Sequence, residues 1–292
     1  MTPGASRRPI GLLKLITLAI CIGIGLAIVI ANVRSWQLED ADAYWNAAQR
    51  LRHGAPLYIQ VDPAADEMTA YRYAPWLAWV WVGLTFLPKP VVQVGWSLLL
   101  LAATVLAITP LLRQRTVAAV CLTAVLGGLL VRTASTGNVH ALLIAALVYG
   151  VPRSSGPIWI GLAASLKIAP IAYALVYVGR RQWGRALLAV GVAAVLFAQA
   201  LLYDLSNYPT DPGDSFSLLS LSGPIPWAAA AAVWVVVAVA MARTRVAWGA
   251  ASVAVMSLIP RLELYSLTYL LVGLDRRDEP SLATNRSASS IE

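Results

Sequence analysis

"GPIWIGLAASLKIAPIAYALVYVG", residues 156–179, decides what kind of protein this is. One charged residue, Lys167, stands in a run that is otherwise apolar or small. Over 157–178 the run is long enough to cross a hydrocarbon core of about 30 Å as a helix. Lys167 then lies about 15 Å from either end at 1.5 Å per residue, beyond the reach of a snorkelling stem. An ammonium at that depth costs roughly 3 kcal/mol, so Lys167 is expected to face a cavity, an anionic ligand or a structural ion-pair partner. Pro170, three residues on, lacks a backbone N–H and is expected to bend the helix.

The rest of the chain repeats the pattern. Its 292 residues are 59% hydrophobic and 12% charged, with a mean hydropathy of +0.70, where soluble domains carry about 25% charged residues. Apolar windows fall at about 10–33, 71–88, 91–112, 116–135, 138–151, 157–178, 183–204, 223–242, 246–259 and 262–274. The expected fold is all-α: a polytopic integral membrane protein of about ten transmembrane helices, one domain over 1–275. The polar, Ser-rich tail 276–292 is expected to be disordered in the cytoplasm. The first apolar run is longer than the roughly 7–15 residues of a signal peptide and reads as an uncleaved helix.

The net charge of +8 sits in short clusters between apolar runs. That is the positive-inside pattern and not a nucleic-acid patch, so the partner is the lipid bilayer and no nucleic acid is expected. Arg7, Arg8 and Lys14 put the N-terminus in the cytoplasm. Arg180, Arg181, Arg185, Arg243, Arg245, Arg276 and Arg277 fall on the same side of a ten-helix path, whereas Arg113 and Arg115 fall on the other and conflict with the rule. Sparse lysine beside abundant arginine and alanine suggests a GC-rich bacterial source, hence a plasma membrane. Cys21 and Cys121 show no metal or redox spacing and read as packing residues.

The longest polar connections, 34–70 and 205–222, share the outer face on this path. In the first, "SWQLEDADAYWNAAQRLRHG" (35–54) reads as a short interfacial helix running from an acidic cap to Gly54. Burial beside an apolar bundle raises a carboxylate toward working pH, where it can act as general base for a hydroxyl nucleophile. Asp40 and Asp42 are therefore the candidate catalytic acids, one of which can cap the helix instead. The aromatics Tyr71, Tyr73, Trp76, Trp79 and Trp81 read as an interfacial belt, and Arg72 either snorkels or pairs with a phosphate. Asn138 and His140, after Gly137, cap a short helix or bind a sugar. Arg261 and Glu263 flank a helix break at Pro260 and do not face each other on one helix. There is no phosphate-binding loop, dinucleotide fingerprint, nucleophile elbow or metal-ligand cluster, so an enzyme of this kind would take an activated substrate from the membrane.

In order and spacing these segments resemble glycosyltransferase family 87, the polyprenyl-phosphate-mannose-dependent mannosyltransferases of the C-type glycosyltransferase fold. The likeness runs from about residue 36 to 275. It is carried by Asp40, Tyr44, Trp45, Ala47, Ala48, Gly54 and Tyr58; by Tyr73 and Pro75, closed by Leu87 and Pro88; and by Gly161 to Pro170 with Arg180 and Arg181 after it. The family's Gly-Gln-x-Asn signature reads Gly137, Asn138, Val139, His140. The resemblance implies transfer of mannose from a polyprenyl phosphate donor to a lipid-linked or cell-envelope glycan acceptor on the outer face. It implies Asp40, ahead of Asp42, as base; Lys167, Arg72 or Arg261 at the donor phosphate; and Tyr44, Tyr73, Asn138 and His140 at the substrates. No cofactor or metal is implied, because the phosphate leaving group already carries charge. A transporter or flippase of lipid-linked sugars, or a non-catalytic membrane subunit, is the alternative.

Overall fold

The computed structural model describes residues 8–59, 70–208 and 218–274. The expected tail 276–292, Arg7, Arg276 and Arg277 and the middle of both long connections lie outside these residues. All regular structure among the described residues is helical, as the composition predicts.

Each apolar window holds helix, but the path differs from ten successive crossings. Among the described residues, five helices are long and apolar enough to span a membrane. These are α1 (Arg8–Arg34), α4 (Lys89–Leu112), α5 (Val117–Ser135), α9 (Trp183–Ala198, extended to Leu202) and α10 (Pro224–Ala240, extended to Arg243). The amphipathic helix α2 (Glu39–Arg52) and α3 (Pro75–Leu84) lie between the first two of them. α2 begins where α5 ends: the Leu38 N–H donates to Ser135 O at 3.0 Å and the Asp40 N–H to Thr136 O at 2.8 Å. Free carbonyls at one helix end thus take the free N–H groups at the start of another.

Lys89, at the start of α4, pairs with Asp42 at 3.0 Å, so α4 starts on the face where α1 ended. The window 71–88 therefore does not cross. Its helix α3 has 10 residues, about 15 Å, and Arg52 donates to Thr85 O at 3.2 Å, tying its far end back to α2. This correction moves Arg113 and Arg115 to the opposite face, with Arg153, Arg180, Arg181, Arg185, Arg243 and Arg245. The conflict in charge distribution disappears, leaving a site face that carries α2 and an arginine face opposite it.

The stretch 156–179 is also not one crossing. α7 (Gly156–Leu166) climbs from the arginine face and stops; Lys167 is extended (φ −141, ψ 118); a 3-10 turn (Ala169–Tyr173) and α8 (Ala174–Gly179) lead back. Arg185 donates to Arg153 O at 2.8 Å, which holds the two feet of the hairpin together. Pro170 explains the break, because it offers no N–H to the Leu166 carbonyl and its ring crowds that carbonyl. Broken helices of this kind persist where protein covers them or a cavity takes their free groups. A second hairpin follows: α11 (Ala247–Ser257) rises, residues 258–263 turn, and a 3-10 turn (Leu264–Tyr269) with α12 (Leu270–Leu274) descends. Gln114 donates to Leu274 O at 2.8 Å on the arginine face.

Between the feet and the tips, α4 to α12, with α6 spanning His140–Gly150, share an apolar core rich in alanine, including Ala103, Ala145, Ala163, Ala189, Ala238 and Ala251. A second core binds α2 and α3 to the bundle through Tyr44, Tyr58, Tyr71 and Trp81, all but buried. Three of the expected belt aromatics are thus internal (Tyr71, Trp81) or bridging (Trp76 to Ser165 on α7 at 3.1 Å); Trp79, 53% exposed, fits a belt.

Candidate functional site

The site forms where α2, the α5–α6 turn and the two hairpin tips meet. Gly137 makes that turn possible. Its φ is +79, and a Cβ there would stand 2.7 Å from the Cβ of Ala41, so any other residue pushes α2 away. Trp96 donates to the Gly137 carbonyl at 2.8 Å and pins the turn to α4.

Asp40 faces this turn. Asn138 donates to its Oδ2 at 3.0 Å and to the Tyr73 hydroxyl at 3.1 Å, while the Asn138 side-chain Oδ1 accepts the His140 N–H at 3.0 Å. Of the two uses foreseen for Asn138, a helix cap or a sugar contact, the structure bears on the first: the cap position of α6 is Val139, while the Asn138 side-chain oxygen takes the N–H of the helix's first residue and its amide goes to Asp40 and Tyr73. Burial raises the Asp40 pKa above the usual carboxylate value. The Asn138 bond, the Lys167 charge, a Thr136 bond and the Arg72 charge act in the opposite direction without cancelling it. Burial, reinforced by the negative charge of Asp40, holds the Tyr73 phenol well above its ordinary range and keeps it a neutral hydrogen-bonding group.

Asp42 points elsewhere. It takes Lys89 at 3.0 Å and Gln93 at 3.1 Å, both on α4, with its side chain 32% exposed. Neither acid caps α2. The cap position is Leu38, in the left-handed region at φ 56, with no side-chain bond; Glu39, Asp40 and Asp42 fill the first turn instead. Acids there suit the positive end of the helix.

Lys167 is not in mid-helix but at the hairpin tip, level with the top of α6. Its Nζ lies 3.4 Å from the Tyr265 hydroxyl and 4.7 Å from that ring. Arg72 stands beside Asp40 electrostatically, and its carbonyl accepts the Tyr208 hydroxyl at 2.9 Å. Arg261 and Glu263 do meet, at 3.3 Å, because residues 258–263 turn and are not helical; Arg132 reaches the other Glu263 oxygen at 3.9 Å. Tyr44 is fully buried, packed edge-on to Tyr73 at 5.1 Å, so it supports Tyr73 and presents no open surface. His140 is fully buried too: its Nε2 is 2.8 Å from the Thr268 hydroxyl, and its ring packs against Tyr265 and Tyr269.

Tyr265, Thr268, Ser165 and Arg132 belong to this neighbourhood and were not foreseen. Only Arg132 carried a signal, an arginine in the last turn of an apolar helix; the others are ordinary residues until the hairpins bend.

The arrangement joins a burial-raised carboxylate to two nearby cations in the part of the bundle nearest the site face. No curated protein and no solved structure matches this chain. The sequence pattern of glycosyltransferase family 87 matches residues 71–219, slightly more than half of the chain. That stretch holds Arg72, Tyr73, Asn138, His140 and Lys167, while Asp40 precedes it. The chain, a polytopic membrane protein, belongs to glycosyltransferase family 87.

Proposed function

We propose that this glycosyltransferase moves a hexose, mannose in the first instance, from a polyprenyl phosphate to a lipid-linked or cell-envelope glycan on the outer face of a bacterial plasma membrane. The observation that carries the reading is Asp40: a carboxylate raised by burial, aimed by Asn138, and within electrostatic reach of Lys167 and Arg72. Asp40 takes the proton from an acceptor hydroxyl as that oxygen bonds to the anomeric carbon from the side opposite the phosphate. The bond from carbon to the phosphate oxygen breaks, its electron pair stays on the polyprenyl phosphate, and the configuration inverts. Lys167 and Arg72 offset the charge that develops on the leaving phosphate.

The orientation follows from the arginines. Arg113, Arg115, Arg153, Arg180, Arg181, Arg185, Arg243 and Arg245 crowd one face, whereas Arg50 and Arg52 on the other share α2 with Glu39, Asp40 and Asp42; the positive-inside rule supports the first face as cytoplasmic, together with the N-terminus, and Asp40 as outward. A transporter expects its paired charges near the bilayer midplane. In this bundle they gather beside the first turns of α4, around Asp42, Gln93 and Trp96, which supports transfer over transport.

The test is transfer of labelled mannose from its polyprenyl phosphate in membranes holding equal amounts of each variant. Asp40→Asn is expected to lose about 10²–10⁴-fold, the usual share of a general base. Asp42→Asn is expected to stay near wild type, because an exposed ion pair contributes ~1 kcal/mol or less. Full activity in Asp40→Asn would end the assignment, and loss confined to Asp42→Asn would move the base two residues.

A further inference from the structure

A groove of about 400 Å³ runs between α4, α6 and α7 toward the arginine face. Its walls are mainly alanine and leucine, with Ala102 and Leu106 on α4 and Ala145 and Ala146 on α6. Small side chains on neighbouring helices normally let those helices close up; along this seam they leave a channel instead. The volume falls in the range of ligand pockets, roughly 300–1,000 Å³. Leu142 to Gly150 give it a length of about 12 Å.

One end of the groove is polar, and it is the arginine end. Arg153, exposed, lines it together with Tyr149 and Trp159. Pro110 in α4 offers no N–H to the Leu106 carbonyl, and the Tyr149 hydroxyl donates to that carbonyl at 3.2 Å. Tyr149 is thereby held at the groove wall. Arg185 is committed to the Arg153 carbonyl and to the Tyr177 ring, 4.5 Å away, which fixes the Arg153 backbone and leaves the Arg153 guanidinium as the cation at the mouth.

We propose that this groove is a binding site for an anionic phospholipid of the leaflet on the arginine face, one acyl chain lying along the alanines and the phosphate on Arg153. Charge complementarity selects the occupant. Basic pockets between membrane helices on the cytoplasmic side hold anionic headgroups, whereas a zwitterionic lipid gains less from a lone guanidinium. The site stands at the opposite face from Asp40 and does not depend on the proposed sugar transfer.

The experiment is native mass spectrometry of the purified full chain after exchange into phosphatidylglycerol or phosphatidylcholine, counting lipid retained through delipidation. Wild type is expected to keep one phosphatidylglycerol in preference to phosphatidylcholine. Arg153→Gln is expected to reduce that preference about fivefold, which is ~1 kcal/mol, and Arg153→Lys to restore most of it. Ala146→Leu with Ala102→Leu fills the groove from its open side and is expected to reduce retention of both lipids. Unchanged helical circular dichroism and size-exclusion behaviour in each variant separates lost binding from misfolding. Equal retention of the two lipids by wild type, or retention untouched by Arg153→Gln and by the filled groove, overturns the proposal.

Discussion

The hairpin of α7 and α8 and the hairpin of α11 and α12 both turn at the site face, and each carries a cation at its bend. They treat that cation differently. Lys167 meets a phenol, with the Tyr265 hydroxyl at 3.4 Å and the ring at 4.7 Å. Arg261 meets a carboxylate, Glu263, at 3.3 Å, and Arg132 approaches the same carboxylate at 3.9 Å. A phenol carries no charge to offset the ammonium, and cation–π attraction is worth roughly 0.5–2 kcal/mol; among the described residues no carboxylate is in contact with Lys167 at its bend as Glu263 is with Arg261. The charge of Arg261 is already offset, and a phosphate placed beside it would also meet Glu263. The three cations that sequence grouped as phosphate partners are thereby ranked, with Lys167 and Arg72 beside Asp40 ahead of Arg261.

Lys167→Met tests that ranking most severely. It is expected to lower transfer about 10²–10³-fold, the loss that follows removal of one group stabilising developing negative charge. Lys167→Arg is expected to recover most of the rate. Near-normal transfer by the Met variant, at matched membrane levels, would erase the distinction between the hairpins.

The acid limb of the pH–rate profile probes the same charges from the side of Asp40. A base must be ionised, so transfer falls as pH drops through the raised Asp40 pKa. Asn138→Ala removes the bond that most opposes the rise and is expected to move the limb to higher pH; a limb that stays put would mean that Asp40 is not the titrating base. Stability carries the opposite sign. With its folded pKa above its unfolded value, the stability linked to Asp40 is full below the unfolded pKa and is lost as pH rises through the folded one. Asp40→Asn should therefore melt above wild type at neutral pH in detergent while losing transfer.

Composition and hydropathy made the helical membrane fold legible, and the acidic spacing made α2 legible, because both depend on local pattern alone. The path was not legible. A window of apolar residues does not distinguish a crossing from a helix that stops halfway, and the two outcomes at 71–88 and 156–179 rest on distant partners, Lys89 for Asp42 and Arg153 for Arg185. Pro170 announced a bend, yet only the packed bundle turns that bend into a reversal. Asn138 was visible as a polar residue at a helix start. Its bond to Asp40 joins residues 98 apart and could not be read from either segment.

Arg261→Gln is the mildest test of the comparison. The substitution removes a guanidinium whose charge Glu263 already offsets, at a side chain 35% exposed. Ion pairs of that exposure contribute about 1 kcal/mol or less, so transfer is expected to change by no more than about fivefold. Glu263→Gln sharpens the point, because it leaves Arg261 and Arg132 without their shared carboxylate. Loss of that negative charge should then lower the KM for the polyprenyl phosphate sugar while leaving kcat near wild type, since less repulsion is felt by the bound donor and by its leaving phosphate alike. A large kcat loss in Arg261→Gln, with Lys167→Met close to wild type, would reverse the roles of the two hairpins and put the leaving phosphate at the Arg261 bend.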